Sequence, residues 1–177
     1  APTIGSLLIA SNGWLVLAGN SGNPAPALTI TSNATVRAGG GILADGTGYP
    51  GGQGNGAGGY SLTESGYVGS GGGHGGYGAS SGGGGKAAPG GIIYGNLSAP
   101  TLMGSGGGRY STVVVGGAGG ANIRLNVTGT LQVDGRISAA GMPAATGNAG
   151  GGAGGSIWLT AAVITGTGII AADGGAG

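Results

Sequence analysis

The sequence predicts an all-β protein: a stack of short rungs resembling a parallel β-helix or solenoid, with an ordered glycine-rich layer of polyglycine II type and almost no helix. Three observations carry this expectation. The strand pattern Gly-x-Ile-x-Ala-x-Gly recurs at Gly40-Ile42-Ala44-Gly46, Gly135-Ile137-Ala139-Gly141 and Gly168-Ile170-Ala172-Gly174, with a looser copy at Gly13-Leu15-Leu17-Gly19. Glycine supplies 52 of 177 residues, far above the roughly 7% of ordinary domains. Apolar residues nowhere hold a 3.6-residue period through ten glycine-free positions, so no amphipathic helix is expected.

Taken along the chain, residues 4–9 and 13–19 read as strands, because apolar residues fall on alternate positions and glycines punctuate the ends. The same logic holds for residues 28–45. In the next stretch, residues 46–91, 22 of 46 residues are glycine. A flexible linker is one reading of it. Tyr49, Tyr60, Tyr67, Tyr77 and Tyr94, with almost no solvating charge, favour the other: extended three-residue-per-turn strands that pack closely because no side chain intervenes. Further on, Gly116-Gly117-Ala118-Gly119-Gly120 leads into Ile123-Arg124-Leu125, and Gly151-Gly152-Ala153-Gly154-Gly155 leads into Ile157-Trp158-Leu159. A repeat spaced by 33 to 35 residues follows, and such repeats bury their apolar faces only by stacking. The Gly-Ser-Gly-Gly-Gly tracts at 69–73 and 104–108 keep the same spacing.

The chain therefore divides into an N-terminal strand region (1–45), a glycine-rich segment (46–115) and C-terminal rungs (116–177), forming one structural unit. Leu15, Leu17, Ile30, Val36, Ile42, Leu125, Val127, Leu131, Val133, Ile137, Ile164 and Ile170 are the expected core.

Composition excludes several classes. Nine charged residues with a net charge of +1 do not form the basic cluster that nucleic acid requires. Glycine lacks the every-third-position period of a collagen triple helix. A mean hydropathy of +0.27 argues against simple disorder. Without cysteine there are no disulfides, thiolate metal sites or thiol nucleophiles, and no apolar run reaches the 18 or so residues of a membrane span. The sequence starts at Ala1 without Met or a hydrophobic leader, so a secretion signal would have been removed or lain upstream. Sequons at Asn33, Asn96 and Asn126 are candidate glycan acceptors and favour an extracellular or cell-surface address.

Asp45-Gly46-Thr47-Gly48-Tyr49, the two Gly-Ser-Gly-Gly-Gly tracts, Gly-Gly-Ala-Gly-Gly before Ile-Arg-Leu, and Val133-Asp134-Gly135-Arg136-Ile137-Ser138-Ala139 together resemble a module repeated in very large secreted or cell-surface proteins of bacteria and some microbial eukaryotes. The resemblance covers roughly residues 28–177. It implies roles in surface fibres, matrix or adhesion. The polyglycine tracts are also loosely similar to those of glycine-rich phage tail-tip adhesins, in which such strands form a compact slab.

The residues do not spell out an enzyme, and no cofactor or metal is expected. His74 is the only histidine, so a two-histidine metal site is impossible; flanked by glycines, it is expected on an exposed turn. Asp45, Asp134 and Asp173 each precede a glycine, which is turn chemistry, although stacked turns could in principle align carboxylates for Ca²⁺. Trp14 and Trp158 are expected to pack between coils or subunits. The leading function is a structural subunit of an extracellular fibre whose partner is itself, with assembly contacts at Leu7, Ile9 and Trp14. This rests on apolar strands near both ends of the sequence with no evident polar cap. An adhesin or carbohydrate-binding surface module, with glycans as partners, is the alternative. Ice binding is third, since the threonines cluster without a sustained Thr-x-Thr run along the chain.

Overall fold

A computed structural model describes residues 2–19, 27–64, 66–83 and 85–177. These contain fourteen strands and no helix. The first segment carries β1 (Thr3–Ile4), β2 (Leu7–Ile9) and β3 (Trp14–Val16), and the second β4 (Leu28–Ile30), β5 (Ala34–Val36) and β6 (Gly41–Leu43). The glycine-rich region adds two antiparallel hairpins, β7 (Tyr60–Thr63) with β8 (Gly66–Gly69) and β9 (Ser81–Gly83) with β10 (Lys86–Ala88). The last two segments carry β11 (Asn122–Val133) with β12 (Arg136–Ser138), and β13 (Ser156–Thr165) with β14 (Ile169–Ala171).

Every pairing outside the hairpins is parallel. In the larger sheet β11 is central: β13 lies along one edge, β4 and β5 share the other, and β1 and β2 lie outside them. The second sheet runs β3, β6, β12, β14. Each segment thus contributes to both sheets, and equivalent residues fall into rows. Leu15, Ile42, Ile137 and Ile170 form one row; Leu7, Ala34, Leu131 and Ile164 form another. The first two segments reach this register through turns of one design. Residues 10–13 and 37–40 are closed by Gly13 N–H to Ala10 O and Gly40 N–H to Arg37 O, both 2.9 Å. Asn12 (φ 61°) and Gly39 (φ 79°) occupy the left-handed third position, where asparagine and glycine are the tolerated residues.

Between the sheets lies one apolar core. Of the expected members, Ile30, Val36, Ile42, Leu125, Val127, Leu131, Val133 and Ile137 are buried, and Leu15 and Leu17 are partly buried against them. Ile164 and Ile170 depart from expectation, at 50% and 45% exposed. Their rows end with them, so among the described residues no further strand covers those side chains. Ile9, Ile123, Met103 and the alanines 34, 44, 121 and 139 are core residues outside the expected set.

The glycine tracts lie beside this core and are held by backbone bonds whose partners repeat every three residues. Gly104 and Gly107 donate to Gly120 and Gly117 and accept from Tyr49 and Gly52. Gly150 and Ala153 donate to Gly108 and Ser105, while Gly152 and Gly155 donate to Met142 and Ala139. Tract 104–108 is buried along its length, and bonds in several directions satisfy the peptide groups that burial takes from water.

Such spacing leaves no room for side chains. A Cβ on Gly107 would overlap the Gly150 carbonyl, and one on Gly119 the Gly104 carbonyl; because each obstacle is backbone, relief requires moving a whole strand. Gly107→Val is therefore expected to destabilise the protein by more than Ile137→Ala, for which a fully buried isoleucine implies about 2–5 kcal/mol. Gly147, with nothing within 4 Å of a built Cβ, should accept alanine within about 0.5 kcal/mol. Chemical denaturation of the three variants checks this order, and a Gly107→Val protein as stable as Ile137→Ala would contradict it.

Candidate functional site

Four places gather chemistry-bearing or exposed apolar side chains: the two outer edges of the sheets, a junction at Asp45, and a groove around His74. The edges follow from the register. At one extreme β1, β2 and β3 are the outermost strands, with Leu8, Trp14 and Val16 exposed; at the other, β13 and β14 expose Val163, Ile164, Ile169 and Ile170. Of the residues expected to make assembly contacts, Trp14 is 54% exposed, with its ring over Gly41. Of the two placements expected for it, between coils or between subunits, Trp14 is thus only half covered by its own chain, its ring lying over the neighbouring strand β6. Leu7 is partly buried and Ile9 belongs to the core, so Ile9 faces inward. Alternation along β2 makes Leu8 the outward residue instead.

At the junction, Asp45 follows β6 and its Oδ1 accepts from Ala140 N (2.7 Å) and Ser138 Oγ (2.6 Å). Arg136 Nη2 donates to Ser138 Oγ at 2.8 Å and lies 3.7 Å from Asp45 Oδ2. The carboxylate thereby ties the second segment to the third. Asp134 holds its own corner, accepting from Gln132 Nε2 (2.6 Å) and from Thr167 N (3.2 Å) of the next segment. These acids serve separate corners. Among the described residues no three His, Asp or Glu side chains converge as a metal site would need.

His74 corrects the exposed-turn expectation: it is 9% exposed. Glycine neighbours imply exposure only when the turn projects outward, and here adjacent tracts close over it. Its Nδ1 lies 3.0 Å from Gly154 O. A carbonyl only accepts, so Nδ1 carries the proton in the neutral ring. The Tyr94 ring lies 4.8 Å away. Tyr94 Oη donates to Met103 O and accepts from Ser105 Oγ (2.8 Å), which in turn accepts from Gly56 N (2.9 Å). Burial raises the Tyr94 phenol above its ordinary pKa, against the Ser105 hydrogen bond, which acts the other way. His74 and Tyr94 stand on a half-open groove of about 610 Å³, with Tyr77, Leu97, Ile157 and Ala172 among its walls.

Two further clusters are aromatic. Arg109 stacks on Tyr60 (3.8 Å to the ring centroid) with Tyr67 at 5.0 Å, tying the β7–β8 hairpin to the tract that precedes it. Arg124 lies 4.2 Å from the Trp158 ring across the β11–β13 pair. Asn33, Asn96 and Asn126 are all exposed; Asn33 Oδ1 accepts from Thr130 N, and Asn96 Oδ1 from Ser98 N. No protein-family model, curated protein or solved structure matches this chain.

Burial lowers the His74 pKa below its usual 6.5, against the backbone hydrogen bonds to Gly154 and Gly155, which raise it. Since the folded value lies below the unfolded one, the unfolded chain binds the proton first. The stability this histidine carries is thus present above pH 6.5 and is lost as the pH falls through the folded pKa. The melting temperature is expected to drop with pH over that window, and His74→Asn, which keeps a donor near the Nδ1 position, to flatten the drop. Parallel curves for the two proteins would contradict this.

Proposed function

We propose that this chain is a structural subunit of an extracellular fibre or surface assembly, joined to copies of itself through strand edges and glycine-rich surfaces. On this reading the four segments are coils of a parallel β-solenoid, and the tracts with their three-residue bonding period are polyglycine II strands. Core alanines 44, 121 and 139 sit where sheets and tracts meet, which supports a single unit rather than separate domains. One observation carries the proposal: both extremes of both sheets present outermost strands flanked by exposed apolar side chains. Such edges recruit other strands. A two-fold pairing of like edges would be antiparallel, whereas head-to-tail stacking keeps the parallel pattern of both sheets, and a heterologous contact that does not close gives a filament. The exposed sequons suit an extracellular address.

Solution mass at micromolar concentration is expected to show elongated species that grow with concentration. Ile164→Lys with Ile170→Lys, placing charge on one edge, should return the protein to a 16.0 kDa monomer. A native chain that stays monomeric throughout would remove the fibre reading and leave the adhesin alternative, for which the Tyr77-lined groove is the natural surface.

A second reading, ice binding, draws on rows that no local motif announces. Thr3, Thr29, Asn126 and Thr160 are register partners across the outer face of the larger sheet, as are Leu8, Thr35, Gln132 and Thr165. Five of these eight positions are threonine, and hydroxyls repeated at strand spacing supply part of a regular lattice, which suits an ordered water surface. Thermal hysteresis that vanishes in Thr29→Lys would support this reading, and its absence in the native protein would end it.

A further inference from the structure

The two edges do more than expose apolar surface; they are the first and last members of the same rows. The row Leu7, Ala34, Leu131, Ile164 and the row Leu15, Ile42, Ile137, Ile170 point into the core, and each begins on one edge with leucine and stops on the other with isoleucine. On the outer face a row runs from Leu8 through Thr35 and Gln132 to Thr165. A parallel strand of matching pattern is what each edge lacks.

Resting on the fibre reading above, we infer that a second copy of this chain docks with β2 on the C-terminal part of β13 and β3 on β14, in register. Leu7, Leu8 and Leu15 of the second copy then lie beside Ile164, Thr165 and Ile170. The groove at His74 fits this geometry. It opens beside Ala172, the residue after β14, and a copy in this register brings residue 17, which follows β3, to that position. Leu97, 92% exposed on the groove wall, gains an apolar neighbour there. Each copy adds four rungs to each sheet, β1 with β2 and β4 with β5 sharing a rung in the larger one, so the axial repeat is about 19 Å, four spacings of about 4.8 Å.

The absence of cysteine makes the register directly readable. Neighbouring parallel strands place partner Cα atoms about 4.8 Å apart, inside the range of about 4.4–6.8 Å that a disulfide spans. The full chain carrying Leu8→Cys and Thr165→Cys is expected to give dimers, trimers and longer covalent ladders on mild oxidation. Either single variant should stop at dimers. A control with Leu8→Cys and Thr160→Cys, five residues or about 16 Å out of register along the strand, should give no ladder. Electron microscopy of the native filaments is expected to show the 19 Å repeat. Filaments that form but ladder only with the control pair, do not ladder at all, or repeat at a length unrelated to four strand spacings overturn this register while leaving the fibre reading intact. A protein that remains monomeric in every variant overturns both.

Discussion

Backbone touching backbone, with nothing between, is the constraint on which the structure depends. In tracts 104–108, 116–120 and 150–155 a strand is bonded to several neighbours at once, and successive peptide groups turn toward different ones. Only an achiral residue without a Cβ permits that approach on all sides. Burying peptide groups is costly unless each finds a partner, so a chain poor in side chains gains order by dense hydrogen bonding rather than by a thick apolar core. The two parallel sheets are then a modest structure leaning on a rigid one, and their core can be thin, with alanines 44, 121 and 139 against the tracts.

Much of this was legible in the amino-acid order. The recurrence of Gly-x-Ile-x-Ala-x-Gly placed Ile42, Ile137 and Ile170 in equivalent positions, and the register makes them neighbours in one row. Period-two patterning also identified most of the core, because alternate residues of a strand face one way. Where it failed, at Ile164 and Ile170, the residues have the pattern of interior positions but no strand among the described residues covers them. Local pattern encodes which way a side chain points, not how many neighbours the stack provides.

The candidate sites were less visible, for a related reason. His74 sits in a run of glycines that looks like an exposed turn, yet Gly154, eighty positions on, supplies the carbonyl that meets its ring. Asp45 has the sequence of a turn residue, and its partners Ser138 and Ala140 come from the next segment. The threonine rows are likewise invisible along the chain, since Thr29 meets Asn126 only after the glycine region has been traversed. In each case the informative contact is one the sequence does not print side by side. A signal was available only in retrospect: acids and threonines at equivalent positions of copies already known to stack.

The long insertion between the second and third segments has a consequence for how the molecule comes to exist. Ala34 in β5 meets Leu131 in β11, so the larger sheet can close only after the whole glycine region has been traversed. Closing so large a loop is entropically expensive and slows the search for the native state. During chain growth β4 and β5 must wait, open-edged, until the central strand arrives. A nascent chain emerging from its N-terminus therefore spends its most vulnerable interval with two short strands pairing only with β1 and β2, a state in which premature association competes with maturation. Timing, as much as shape, is written into this order of segments.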